Sequence, residues 1–448
     1  MSAAASAPPP SATSSASSPS SSGSSFLHLA VALDGAGWHP AAWREPVARP
    51  RDLLTAGYWT DLVTEAERGL LDFVTIEDAL GLQSSNLTGP DGRTDQVRGR
   101  LDAVLIAARV APLTRHIGLL PTAVTTHTEP FHLSKAIATL DHVSTGRAGV
   151  RVQVSARRNE AAHFGRRTLP SFRAEELESP AVQELTLDLF EEAADYVEAV
   201  RRLCDSWEDD AEIRDAATGR FIDRDKLHYT DFEGRHFSVR GPSITPRPPQ
   251  GQPPVGALAH ETVTGAPFRL LGRSADLGFV TPHDTGQARA IVASVRAAQE
   301  AAGRAGEPLH LFGDLVVVLD DDPAEAAARR KRLDALAGHP GTSDARIFTG
   351  SPAQLADLLA ELHRAGLAGF RLRPAVLGHD LPAITRGLVP ELQRRGVFRH
   401  AYEADTLRGL LGLARPANRY AGATAPGGGD AGTEAEAPAV DDTPAASA

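Results

Sequence analysis

Residues 113–155, LTRHIGLLPTAVTTHTEPFHLSKAIATLDHVSTGRAGVRVQVS, decide how the rest of the chain is read. HIGLLPTAV is an apolar run of strand length, EPFHLSKAIATLDHVS carries apolar residues at helical spacing, and GRAGVRVQVS is a second strand. The result is one strand–helix–strand unit. Working toward the N-terminus, FLHLAVALD from Phe26 reads as a buried strand, and YWTDLVTEAERGL places Trp59, Leu62, Val63, Ala66 and Leu70 on one helical face. LDFVTIED is a strand and RLDAVLIAARVA a helix. Toward the C-terminus, the helix around LTLDLFEEAADYVEAVRRLCDSW precedes the strands PPVGALAH, ADLGFVTPH, PLHLFGDLVVVLD and AGFRLRPAV, with helical segments between them and LPAITRGLVPELQRRG as a last helix. The unit recurs about every 35–45 residues, as βα units do.

Eight strands alternating with helices, in runs too apolar for a half-exposed sheet, fit a closed parallel barrel better than the open doubly wound sheet that is the structural alternative. The predicted fold class is α/β, a (β/α)8 TIM barrel with insertions in the βα loops and disordered termini. Residues 1–25 are Ser, Ala, Pro and Gly almost throughout, and 420–448 are similar but acidic; neither composition offsets the entropy of ordering a chain. The barrel domain is therefore 26–419. In such a barrel chemistry gathers at the carboxyl ends of the strands. Here those ends carry Asp34, Glu77, Asp78, Thr122 to Thr126, Gln153, Ser155, Ala259, His260, Thr281 to His283, Arg371 and Arg373. Two long interruptions, one from Ala156 and one between the DSW segment and PPVGALAH, are expected to shape or cover the mouth. The second contains EGRHFSVRG, which reads as a turn and a short strand.

Composition narrows the function. The net charge of −11 and a pI near 5.8 offer no footprint for nucleic acid or an anionic membrane, and no apolar run is long enough to span a bilayer. A single cysteine, Cys204, excludes an internal disulfide and a thiolate metal site, and suits a reducing, cytoplasmic setting. Cys204 itself reads as packing on the buried face of its helix. No HExxH, zinc spacing, EF-hand, G-x-S-x-G or P-loop occurs, so no metal site is encoded locally; the DGAG at Asp34 reads as a turn. Any chemistry has to be spread over several strand ends.

Taken together, ERGLLDFVTIEDALG, the 113–155 stretch, NEAAHFG, DYVEAVRRLCDSWEDDA, KLHYTDFEGRHFSVRGPSITPRPPQGQPPV and RSADLGFV resemble the luciferase-like flavin-dependent monooxygenases, in the branch of the nitrilotriacetate, dibenzothiophene sulfone and long-chain alkane enzymes. The resemblance implies a barrel that binds reduced FMN (FMNH2) at the strand ends, usually as a homodimer. It also implies a separate NAD(P)H:flavin reductase, O2, and a small organic substrate that becomes oxygenated. A deazaflavin F420-dependent hydride-transfer oxidoreductase on the same barrel and a noncatalytic flavin-binding paralogue are the alternatives.

On this resemblance the cofactor-binding candidates are Asp78, Thr125, Thr126 and Ser155, with Thr262, Thr264 and Gly265 as an expected phosphate site where a strand gives way to a helix. His127 and His260 are the candidate catalytic proton donors, with His163 a further candidate. Each residue also has a structural reading: Asp78 and Ser155 as caps, the threonines as ordinary strand residues, His260 as a satisfied core histidine. Two family segments are missing. GALAHETVTG stands where a Q-A-G-x-S segment is usual, and SPAVQELTLDLFEEAADY where the family has an H-D-E-R-Y-like one.

Overall fold

The computed structural model describes residues 26–422, apart from 85, 87, 88 and 177. The predicted tails at 1–25 and 420–448 lie outside the described residues, except that Tyr420, Ala421 and Gly422 are described and the Tyr420 ring stacks on His228 with centroids 5.0 Å apart.

All eight expected strands form: β1 (His28–Leu33), β2 (Phe73–Ile76), β3 (Gly118–Val124), β4 (Val150–Gln153), β5 (Val255–Leu258), β6 (Leu277–Val280), β7 (His310–Leu319) and β8 (Gly369–Pro374). Each pairs in parallel with the next, and β8 pairs with β1 through His28 opposite Gly369, which closes the barrel. The outward side chains Leu29, Val31, Val74, Leu119, Val150, Leu311 and Phe370 enter one continuous core with the surrounding helices. Those helices include α1 (Ala56–Arg68), α2 (Ala103–Val110), α3 (Pro130–Val143) and α4 (Pro180–Asp205). Thr55, Asp102 and Ser179 start three of them by accepting the otherwise orphaned backbone N–H groups of Tyr58, Leu105 and Val182. Cys204 is buried with Tyr196 and Val200 in a small cluster, and burial pushes its thiol up to about 12, so it packs and does not react.

The differences from expectation are local. Leu70 follows the end of α1 with φ +58° and only partly joins the core. The last helix is broken into Leu377–Ala383, a wide π-turn and Val389–Arg394, because Pro382 and Pro390 each lack an N–H for the ladder. A further strand, Arg346–Gly350, pairs with Leu315–Leu319. β7 outruns β6, whose pairing stops at Gly313, and the free edge takes up RIFTG. The interruption from Ala156 contains the short helix Arg158–Phe164. The other interruption follows α4 and so leaves from the foot of the barrel. Its second hairpin, Phe232–Glu233 with Ser238–Val239, realises the expected turn and strand and climbs back along α4, where Arg235 and His236 meet Asp188. The C-terminal segment crosses the foot, with Leu407, Leu411 and Leu413 packed against Phe73, Phe279 and Phe312 inside the barrel.

Candidate active site

Every second residue of a barrel strand points inward. At the lower level those residues are apolar: Phe73, Leu120, Leu277, Phe279 and Phe312. One pleat higher they are polar and paired. Asp314, on β7, accepts from Arg371 Nε at 2.9 Å and Arg373 Nε at 3.0 Å. Arg371 continues to Thr75 and Glu77, both at 3.1 Å, and its guanidinium lies 4.4 Å from the centroid of the Phe279 ring. Arg151, on β4, pairs with Glu77 and donates to Thr122 Oγ1 at 3.0 Å. Arg373 reaches out to Asp344 at 2.7 Å and stacks on Trp38 at 4.6 Å.

The network sits out of water, with Asp314 and Arg371 fully buried. Burial pushes the Glu77 carboxyl up, but Arg151, Arg371 and Arg373 outweigh it and hold Glu77 below the usual carboxylate range. The same contest, against Arg371 and Arg373, holds Asp314 down. Burial brings Arg151 to about 10 despite Glu77. This floor is therefore ionised and internally neutralised, a rigid set of fixed dipoles.

Above the floor lies a cavity of about 340 Å3. That is within the roughly 300–1,000 Å3 usual for cofactor sites. Trp38, Leu82, Val154 and Leu258 give it apolar walls, while Asp34, Asp78, Ser155 and the floor residues give it polar ones. Arg100 clasps Asp34 at the rim, with contacts of 3.1 and 2.7 Å. Two lining residues keep a buried polar atom without a partner: the Trp38 indole N–H and Gln83 Oε1. One donor and one acceptor left unmatched, beside apolar walls and a neutralised floor, fit a planar ring system with an alternating donor–acceptor edge, as a flavin has.

The expected site residues divide among three places. Asp78 and Ser155 line the cavity. Asp78 accepts from the N–H groups of Ala79 at 2.7 Å and Ala103 at 2.9 Å, so it also caps the loop and the start of α2, and burial raises its carboxyl above the ordinary value. Ser155 donates to Glu160 at 2.7 Å, and its own N–H donates to Thr126 Oγ1 at 2.8 Å. Thr125 donates to the Gln153 carbonyl at 3.3 Å. His127 lies beyond them in a second cavity of about 450 Å3, stacked on Phe164, with Nε2 buried and unpartnered. Burial, then Arg167, lower its pKa. His163 is exposed. After β5, Thr262 and Thr264 bond each other at 3.3 Å and Gly265 takes φ +62° as the cap of helix Ala266–Ser274; none of the three lines the mouth cavity. His260 joins the mouth indirectly, 3.5 Å from Asp344 and 3.2 Å from Thr281 Oγ1.

Sequence reading passed over Arg151, Asp314, Arg100, Trp38, Gln83 and Asp344. Arg151 and Asp314 carried a signal, a charge at an inward position of an otherwise apolar strand. The others sit on loops, where no periodicity marks them.

The luciferase-like monooxygenase family model matches residues 39–363. N-acetyl-S-(2-succino)cysteine monooxygenase of Bacillus subtilis (strain 168) is 30% identical, over 88% of this chain and 98% of that one. Nitrilotriacetate monooxygenase component A of Aminobacter aminovorans is likewise 30% identical, over 88% and 98%. A riboflavin lyase solved with modified FMN and riboflavin superposes with a TM-score of 0.74 at 25% identity, over 88% of this chain and 98% of its own.

Proposed function

We infer that this chain, which belongs to the luciferase-like monooxygenase family, is the oxygenating component of a two-component FMN-dependent system acting on a small organic substrate. The observation that carries the reading is the mouth cavity, with its neutralised floor and the unmatched Trp38 and Gln83 atoms. Reduced FMN from a separate NAD(P)H:flavin reductase would supply the electrons that activate O2. The chain's own residues bind and orient. Trp38 N–H and Gln83 Oε1 would meet the ring edge, Asp78 and Ser155 would line it, and Leu82, Val154 and Leu258 would exclude water. Of the two candidate histidines, His260 serves the mouth: through Asp344 and Arg373 it is tied to the floor, and its ring is half-exposed. His127 faces a different cavity. Thr125 and Thr126 brace the end of β3 against β4 and so set where Ser155 stands.

The phosphate end of FMN would reach toward Thr262, Thr264 and Gly265 across the strand ends. A cytoplasmic homodimer completes the reading, in keeping with the single cysteine. The family assignment favours oxygenation over F420-dependent hydride transfer. The decisive experiment is reconstitution of the purified chain with FMN, NADH, a flavin reductase and O2. FMNH2 binding in the micromolar range is expected, and its absence, or a preference for F420, overturns the reading.

A further inference from the structure

Beside the mouth lies a chamber of about 360 Å3 with a different character. Its walls are Trp43, Leu53, Leu54, Trp59, Val97 and Leu101, drawn from the segment between β1 and α1, from the first turn of α1 and from the loop before α2. Both indole N–H groups are already spent, Trp43 on the Asp95 carbonyl and Trp59 on the Leu53 carbonyl, each at 3.0 Å. What these rings offer a ligand is therefore apolar surface.

The chamber shares Asp34, Glu77 and Arg100 with the mouth cavity, so the Arg100–Asp34 pair stands at the junction of the two spaces. The chamber opens to solvent past Leu54, and a ligand that covers its apolar walls takes them out of water. Two further lining groups are incomplete. Gln96 Nε2 and Arg98 Nη1 are buried donors without an acceptor, although Arg98 is charge-balanced by Asp91. A buried donor left unmatched is costly, and a ligand that brings an acceptor removes that cost. Leu54, two-thirds exposed, stands at the outer rim.

Building on the monooxygenase reading, we propose that this chamber is the substrate site, and that it takes an uncharged molecule with an aromatic or bulky aliphatic body and one hydrogen-bond acceptor such as a carbonyl. The body fills the apolar walls, the acceptor meets Gln96 and Arg98, and the reacting end stands at the Arg100–Asp34 junction facing the flavin cavity. The apolar walls call for the body, the two unmatched donors for an oxygen with two lone pairs such as a carbonyl's, and the pairing of Arg98 with Asp91 and of Arg100 with Asp34 for a molecule without net charge.

The test is equilibrium dialysis of the full-length protein against three probes: acetonaphthone, its near-isostere ethylnaphthalene, which lacks the acceptor, and citrate as a polycarboxylate. Wild type should bind acetonaphthone about tenfold more tightly than ethylnaphthalene, and citrate not measurably. Gln96→Leu should bring the two aromatic affinities together. Leu54→Trp and Thr94→Phe, both at exposed rim positions, should weaken both by about tenfold or more by filling the space. Equal binding of the two aromatics by wild type, binding of citrate in their place, or indifference to all three substitutions overturns the proposal. FMNH2 binding is measured on the same samples. Retained FMNH2 binding without probe binding sinks the chamber alone, whereas probe binding with the expected variant effects but no FMNH2 binding sinks the flavin reading and leaves the chamber as a ligand site.

Discussion

The two ends of the barrel both bury charge, and they do so for different ends. At the foot, Asp72 accepts from His28 Nδ1 at 2.9 Å, from the Leu29 N–H at 2.7 Å and from Arg399 at 2.6 Å. Burial pushes its carboxyl up, and His28 and Arg399 more than reverse that. The C-terminal segment then seals the space with Leu407, Leu411 and Leu413. At the mouth, Asp314 is as deeply buried and as fully paired, but above its layer the side chains stop short of filling the volume, and buried polar atoms go unmatched. The foot too leaves a buried atom unmatched, Arg399 Nη1, but its space is filled by side chains, which makes it structure; a mouth whose volume stays open beside its unmatched atoms is a binding site. Substitutions at the foot should therefore change stability alone, and substitutions at the mouth should change binding as well.

The largest effect is expected at the floor of the mouth. Asp314→Ala leaves Arg371 and Arg373 buried with their shared partner gone, a change that typically costs about 3–5 kcal/mol. Urea unfolding should show the loss, and FMNH2 affinity should fall with it because Arg373 also holds Asp344 and stacks on Trp38. Unchanged FMNH2 affinity in soluble Asp314→Ala protein would break the contrast between the ends. Its counterpart at the foot is Leu407→Ala, which opens a hole in the seal and should cost about 3 kcal/mol. Here FMNH2 affinity at a temperature where the variant is folded should equal that of wild type.

Acid should act through the foot. His310 donates to the Leu411 carbonyl at 2.8 Å, and burial, with His28 nearby, lowers its pKa to about 4. Because the folded value lies below the unfolded one of about 6.5, the stability it contributes is complete above pH 6.5 and is lost as pH falls toward 4. The change is on the order of 2–3 kcal/mol. His310→Gln keeps a donor for Leu411 without the titration, so the gap in urea midpoint between wild type and variant should shift on acidification from neutrality to about pH 4. A constant gap would remove His310 from the account.

The contrast between the ends also marks what the sequence could disclose. All eight strands were legible because outward residues such as Val31, Val74 and Leu372 and inward ones such as Phe73 and Phe279 are alike apolar, and only a barrel wrapped in helices buries both sets. Glu77, Arg371 and Arg373 were legible as strand ends. That they share Asp314 and Arg151 was not, because those partners come from strands far apart in the chain and the ring of pairs exists only once β8 meets β1. Asp78 and Ser155 reached the cavity as their positions on the first residues past β2 and β4 required. Thr262, Thr264 and Gly265 come four to seven residues past the end of β5, in the turn that caps the next helix, and stand off the mouth cavity. Trp38 came from a loop whose path is set by Gly37, where φ is +140° and any side chain would strike the Ala375 carbonyl. That close approach presses the loop onto β8 and delivers the indole to Arg373. Nothing in the letters DGAGWHP announces it.

Trp38 supports the smallest effect and the sharpest one, since stability and binding should move in opposite directions. Without a ligand its N–H is a buried donor paired with nothing, so removing it relieves a cost. Phenylalanine retains the face on which the Arg373 guanidinium rests. Trp38→Phe should therefore leave the ligand-free melting temperature unchanged or slightly higher, while lowering FMNH2 affinity by up to about tenfold, the worth of one well-placed hydrogen bond. Thermal melts with and without FMNH2 give both numbers from one preparation. If the substitution destabilises the free protein and spares binding, the indole is a structural group and the mouth loses its main claim to differ from the foot.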